Sequence, residues 1–255
     1  MLHKITHASD GDAPAVYIVH GLYGSARNWG AIGKALSNRG PVIAVDQRNH
    51  GHSPWFDSHS YEDMASDLAQ EIDADASGPV DIIGHSMGGK AAMVLALTRP
   101  DLVRRMIVAD IAPMPYTHSQ MPYIDAMRKV DLSKITRRSE AEVALRELVD
   151  DPTLASFFTQ SLDLTKKKWR LNLDVLAKDM PKIMNFPAIE AIAEMPVLFL
   201  SGGNSDYVQD GHRETIRHYF PKARFVKIPG AGHWLHAEKP QAFEESARVW
   251  LDQNT

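Results

Sequence analysis

From Ala15 onward, short apolar runs alternate with stretches of helical period. The runs 15–19, 42–45, 80–83, 106–109, 197–200 and 223–228 read as strands, and most are solidly apolar, as strands covered on both faces must be. Between them, Met64, Leu68 and Ile72 recur at every fourth position and mark a helix with one buried face. The stretch 91–97, closed by Arg99-Pro100, reads as a second and more buried helix. This alternation predicts an α/β fold with a mostly parallel sheet flanked by helices. The rhythm breaks between about Pro113 and Pro196, where 132–135, 143–149, 154–158 and 169–176 keep helical periodicity but supply no strand. An insertion of roughly 80 residues is too long for a plain loop. Residues 1–112 and 196–255 are therefore assigned to one core, and 113–195 to a helical cap above the carboxyl ends of the strands, where a parallel sheet has its usable crevice.

Composition narrows the chemistry. The 255 residues are 44% hydrophobic and 24% charged, which excludes a disordered, collagenous or coiled-coil chain. A formal net charge of -4 supplies no global attraction to nucleic acid or to an anionic membrane. The amino-terminal MLHKITH lacks the apolar core of a secretory signal, and no apolar run approaches the ~18 residues of a membrane span. A soluble cytoplasmic protein is expected. With 0 cysteines, thiol nucleophiles, disulfides and cysteine-ligated metals are excluded, so any covalent catalysis uses another nucleophile.

That nucleophile is marked by Gly84-His85-Ser86-Met87-Gly88-Gly89, a G-x-S-x-G between a strand and an apolar helix. The pattern alone is common, and its specificity comes from this context. So tight a turn leaves no room for side chains at Gly84 and Gly88, and it lifts Ser86 to the amino end of a helix, where developing negative charge is favoured. After the first strong strand comes His20-Gly21-Leu22-Tyr23, whose turn is expected to aim the Leu22 amide at the site, so that Leu22 and Met87 together form an oxyanion hole. After the last strand, Gly230-Ala231-Gly232-His233-Trp234 gives a small-residue loop able to fold His233 back over the strand ends as general base. His236 is taken as a packing residue.

The acid has two candidates. Asp110 ends the strand before the insertion, whereas Asp206 lies in Ser201-Gly202-Gly203-Asn204-Ser205-Asp206 after the strand that follows it, one residue late for the usual register, which falls on Ser205. A buried carboxylate on the distal imidazole nitrogen is all the chemistry needs, so either position suffices. Asp110 is preferred and Asp206 kept as the alternative. His20, Tyr23, His50, His85, Trp169 and Trp234 are the pocket candidates. His50-Gly51-His52 has no carboxylate at ligand spacing, so neither metal nor cofactor is expected, and 46–53 is assigned instead to bracing the oxyanion loop. Lys166-Lys167-Lys168 reads as the solvated face of a cap helix, with an anionic coenzyme A thioester as the sharper alternative.

Taken with Asp110-Ile111-Ala112-Pro113 and Trp169-Arg170-Leu171-Asn172, these motifs resemble the α/β-hydrolase fold and, more narrowly, the YbfF-type bacterial esterases. The resemblance runs from the first strong strand to the last helix. It implies a serine esterase acting on short to medium acyl esters or thioesters, with a small-molecule ester as its partner, and it favours Asp110 as the acid. Carbon–carbon bond hydrolysis or perhydrolysis on the same residues, or a non-catalytic binding protein, are the alternatives.

Overall fold

A computed structural model describes residues 1–75 and 78–253. The chain runs β1 (Lys4–His7), β2 (Val16–Val19), α1 (Gly30–Leu36), β3 (Val42–Val45), α2 (Tyr61–Asp75), β4 (Val80–His85), α3 (Met87–Thr98) and β5 (Val103–Ala109). An insertion follows, carrying α4 (Met121–Lys129), α5 (Arg138–Arg146), α6 (Pro152–Thr159), a small hairpin of β6 (Leu162–Asp163) and β7 (Lys168–Trp169), α7 (Leu173–Lys178) and α8 (Met180–Met184). The chain then resumes with β8 (Val197–Gly202), α9 (Arg213–Tyr219), β9 (Ala223–Ile228), α10 (Leu235–Glu238) and α11 (Pro240–Leu251).

Among the described residues the main sheet has seven strands in the order β1-β3-β2-β4-β5-β8-β9, all parallel except the edge strand β1. Alternate side chains leave a strand on opposite faces. Tyr17, Val19, Ile82, Met106, Val108 and Phe199 thus pack with α2, α3 and the insertion, while Val16, Ile18, Ile83, Ile107 and Leu198 pack against α1 and α11 on the other face. This two-sided burial is what solid apolar runs require. The strand β9 departs from it, with Val226 exposed, because it lies at an edge.

The strand order reverses around β2 and β4: β3 lies beyond β2, and β5, β8 and β9 lie beyond β4. At such a switch point the loops leaving the carboxyl ends of neighbouring strands diverge and open a crevice. Two expectations for the insertion need correction. The stretch 169–176 is not one helix: Lys168–Trp169 is a strand, and the helix begins only at Leu173, capped by the Asn172 side chain. Lys166 and Lys167 lie in the turn of that hairpin and Lys168 in its strand, not on a helix face; Lys168 sits over the Trp55 ring. Among the described residues, no helix is long and apolar enough to cross a membrane.

Candidate active site

Ser86 sits between β4 and α3 with φ 52° and ψ −121°, a left-handed backbone that a β-carbon resists. Two close approaches hold the turn there. A β-carbon at Gly84 would stand 2.6 Å from the Gly88 carbonyl oxygen, and one at Gly88 would stand 2.3 Å from the Val19 oxygen, so the elbow closes only with glycine at both positions. The Ser86 amide continues the ladder to the Ala109 carbonyl at 3.0 Å, which ties the backbone at 86 to β5.

One residue past Ala109, Asp110 is fully buried and also left-handed, at φ 51°. Its Oδ1 accepts from the Gly202 amide at 3.0 Å, and its Oδ2 accepts from the Ser205 hydroxyl and from His233 Nδ1, the latter at 2.8 Å. On the other side of that ring, Nε2 lies 3.1 Å from Ser86 Oγ. A carboxylate only accepts, so Nδ1 carries the proton and Nε2 presents its lone pair to the serine hydroxyl. The loop bearing the imidazole is held by His85, whose Nε2–H donates to the His233 carbonyl at 2.9 Å.

Asp206, the alternative acid, is exposed, and its backbone carbonyl accepts from the Gln209 side-chain amide at 3.2 Å. The one-residue offset is decisive: in the register after β8 it is Ser205 that faces the Asp110–His233 pair, so position 205 offers a hydroxyl to the carboxylate and position 206 points away.

Opposite Ser86, the turn after β2 brings up Leu22. Among the described residues neither the Leu22 amide nor the Met87 amide, the first of α3, has a hydrogen-bond partner. The turn is braced from 46–53. The Gln47 amide donates to His20 Nε2 at 3.0 Å, and the opposite ring nitrogen of His20 donates to the Gly21 carbonyl at 2.8 Å. The Tyr23 amide donates to His50 Nε2 at 3.2 Å, fixing Tyr23 at φ 64°. Asp46 accepts from the Ala26 amide at 2.7 Å and the His52 amide at 2.8 Å.

A cavity of about 340 Å³ opens over Ser86 and His233. That size suits a small molecule. Of the pocket candidates, His20, Tyr23, His85 and Trp234 line it. Two do not, and each is a correction. His50 is fully buried behind Tyr23, where its ring accepts the Tyr23 amide. Trp169 faces the interior of the insertion and donates through Nε1 to the Met127 carbonyl at 2.9 Å. His236 stacks on Trp29 at 4.1 Å. Lys166, Lys167 and Lys168 do not line the cavity.

Other walls carry no signal in the linear pattern. Leu154, Phe157 and Phe158 come from α6, and Ile183 and Met184 from α8. Lys90, one turn along α3 from Ser86, is buried and donates to the Asn185 carbonyl at 2.7 Å and the Met184 carbonyl at 3.3 Å, so the helix behind Ser86 is tied to the end of the insertion. Burial without a carboxylate partner pushes its pKa down to about 7.

Burial likewise pushes His50 and His236 down to about 3, lowers His20, and takes His59 and His85 well below the ordinary value of 6.5. The folded protein keeps these imidazoles neutral where the unfolded chain protonates them. Their contribution to stability is thus complete above pH 6.5 and lost as the pH falls below it. Urea midpoints are therefore expected to drop clearly from pH 7.5 to pH 5.5, before most carboxylates titrate; an unchanged midpoint would show that these rings are not held neutral.

The model of the alpha/beta hydrolase fold family matches residues 14–240. The chain belongs to the alpha/beta hydrolase fold family. Within that family, the sn-1-specific diacylglycerol lipase ABHD11 of Mus musculus is 41% identical over 254 residues, covering 95% of this chain and 83% of its own. Esterase YbfF of Escherichia coli K12 is 37% identical over 240 residues, covering 93% and 92%. Among solved alpha/beta hydrolase structures, a marine microorganism esterase superposes with a TM-score of 0.92 at 38% identity, covering 98% of this chain and all of its own.

Proposed function

We propose that the chain is a serine hydrolase that cleaves carboxylic esters or thioesters of short to medium acyl chains through an acyl-enzyme intermediate, with 113–195 acting as a cap that selects the acyl group. The observation that carries this reading is the unbroken hydrogen-bonded chain Asp110–His233–Ser86 opening onto the cavity. Membership of the family and relatives named esterase and lipase support ester bonds as the target.

In the proposed reaction Ser86 Oγ attacks the carbonyl carbon while His233 Nε2 takes the hydroxyl proton. The carbonyl oxygen gains negative charge against the Leu22 and Met87 amides, which have no competing partner among the described residues and need no reorganisation to receive it. Asp110 holds the imidazolium in place. His233 then gives the proton to the departing alcohol or thiol, and the acyl group remains on Ser86. Water, deprotonated by His233, attacks the acyl-enzyme and releases the acid, restoring the serine. The aromatic and aliphatic side chains from α6 and α8 offer an apolar seat for the acyl chain. Ester hydrolysis needs only these protein groups and water.

A panel of p-nitrophenyl esters and acyl thioesters from acetyl to lauroyl, with a diacylglycerol included, tests the substrate class. Turnover is expected to be highest at short to medium length, and a fluorophosphonate probe should label Ser86 once per chain. Absence of both labelling and turnover would overturn the proposal.

A further inference from the structure

Past β8 the chain is fastened to the loop that carries His233: the Gly203 amide donates to the Ile228 carbonyl at 2.8 Å and the Asn204 amide to the Ala231 carbonyl at 2.9 Å. The next residues reach across the Asp110–His233 pair. Ser205 Oγ accepts from the Tyr207 amide at 3.3 Å, which directs its own proton to Asp110 Oδ2, the oxygen that also takes His233 Nδ1–H. The Tyr207 ring lies flat on the His233 imidazole, with centroids 3.9 Å apart and planes 19° apart. That ring is held from both ends. The Tyr207 backbone carbonyl accepts from Tyr116 OH at 2.7 Å, Tyr116 OH accepts from the Ala112 amide at 3.0 Å, and Tyr207 OH lies 2.8 Å from His118 Nε2.

We infer that Ser205 and Tyr207 are positioning residues for the proposed reaction, a strap in which the hydroxyl fixes the carboxylate and the phenol ring fixes the imidazole. The inference rests on the serine-hydrolase reading. Two physical effects follow. A ring clamped on one face by Tyr207 keeps Nε2 directed at Ser86, saving the orientational freedom that a mobile imidazole would lose in the transition state. An aromatic face also attracts a cation, so Tyr207 favours the imidazolium formed when His233 takes the serine proton over the neutral ring that precedes it. Ser205 acts on the other partner: its hydroxyl leaves the carboxylate fewer alternatives to the Nδ1–H bond. Among the described residues, the titratable groups around His233 are Asp110, His85, His118, His236 and Tyr207, with the Glu238 carboxylate accepting from the Gly232 and Trp234 amides on either side of it. Burial holds the three histidines below their ordinary pKa, so they stay neutral near pH 7, and burial holds the Tyr207 phenol up at about 12.

The test uses the full chain with Tyr207→Leu, Tyr207→Phe, Ser205→Ala and Ser205→Thr, read in three ways: kcat and KM on p-nitrophenyl butyrate, the acid limb of the pH–rate profile, and the His233 imidazole titration by NMR, assigned with His233→Gln. Tyr207→Leu is expected to lower kcat by about tenfold or more with little change in KM, and to move both the acid limb and the NMR titration about half a unit to one unit lower. Tyr207→Phe keeps the ring and should stay within about threefold of the parent in kcat. Ser205→Ala should lose about tenfold in kcat, recovered in Ser205→Thr. An unmoved NMR titration in Tyr207→Leu, or a loss confined to KM, overturns the role of Tyr207, and wild-type kcat in Ser205→Ala overturns that of Ser205. The NMR readout is independent of turnover, so a parent without esterase activity would refute the proposed function while the titration still decides whether the strap acts on His233.

Discussion

Ser86→Ala is expected to lower kcat for ester hydrolysis by on the order of 10⁵- to 10⁶-fold while leaving the fold intact. The size of the loss follows from the site working as one unit. Without Oγ, the base at His233 has no proton to take and the acyl group has no atom to form a bond with, so the amides of Leu22 and Met87 retain only their effect on direct attack by water. The fold should survive because, among the described residues, Oγ makes its hydrogen bond to His233 alone, and because the left-handed backbone at 86 is imposed by the packing of Gly84 and Gly88, which alanine leaves in place. A melting temperature within a few degrees of the parent, combined with loss of fluorophosphonate labelling, checks both halves. Turnover persisting near the parental rate would remove Ser86 from the mechanism.

Asp110→Asn is expected to cost about 10⁴-fold in kcat, and Asp206→Asn less than about twofold. An asparagine at 110 has one oxygen where the aspartate has two. The Gly202 amide at 3.0 Å must donate to something, and it claims that oxygen, which leaves the NH₂ group facing His233 Nδ1. An NH₂ in that place donates, forcing the ring proton onto Nε2, so the base that should accept the Ser86 proton is already occupied. The Ser205 hydroxyl loses its acceptor as well. Asp206 is exposed and bonds neither partner, so its neutralisation changes only a solvent-screened surface charge. Paired kcat measurements with KM controls decide the matter; a larger loss from Asp206→Asn would transfer the acid role.

What the linear pattern reveals follows the range of the force involved. Strands buried on both faces write themselves as mostly apolar runs, so β2 and β3 are legible to within a residue and β4, β5 and β8 at their apolar stretches, whereas the start of β5 at Val103 is hidden by Arg104 and Arg105. The strand β1 is not, because Lys4–His7 is a short antiparallel edge, only part-buried, with no apolar run to betray it. Inside the insertion, α4 starts at Met121 with Pro122 in its first turn, where proline fits a helix although the residue reads elsewhere as a breaker. The elbow, the loop of His233 and the preferred acid are each local motifs tied to a strand end, which makes them readable. Tyr207, Ser205 and Lys90 act through partners distant in sequence, and no spacing rule reports such contacts. His50 and Trp169 went astray for the same reason: a polar or aromatic residue near a site is equally fitted to brace it from behind.

Among the described residues, three of the five non-glycine residues with left-handed backbone, Tyr23, Ser86 and Asp110, stand at this site. Each conformation costs about 1–3 kcal/mol that the surrounding packing must offset. Selection for stability and selection for chemistry therefore pull in opposite directions at these positions: glycine would relax the backbone at 86 or 110 and delete the functional group in the same step. A directed search for heat-resistant variants that is not also screened for turnover would drift toward that exchange, trading the Ser86 hydroxyl or the Asp110 carboxylate for a calmer turn.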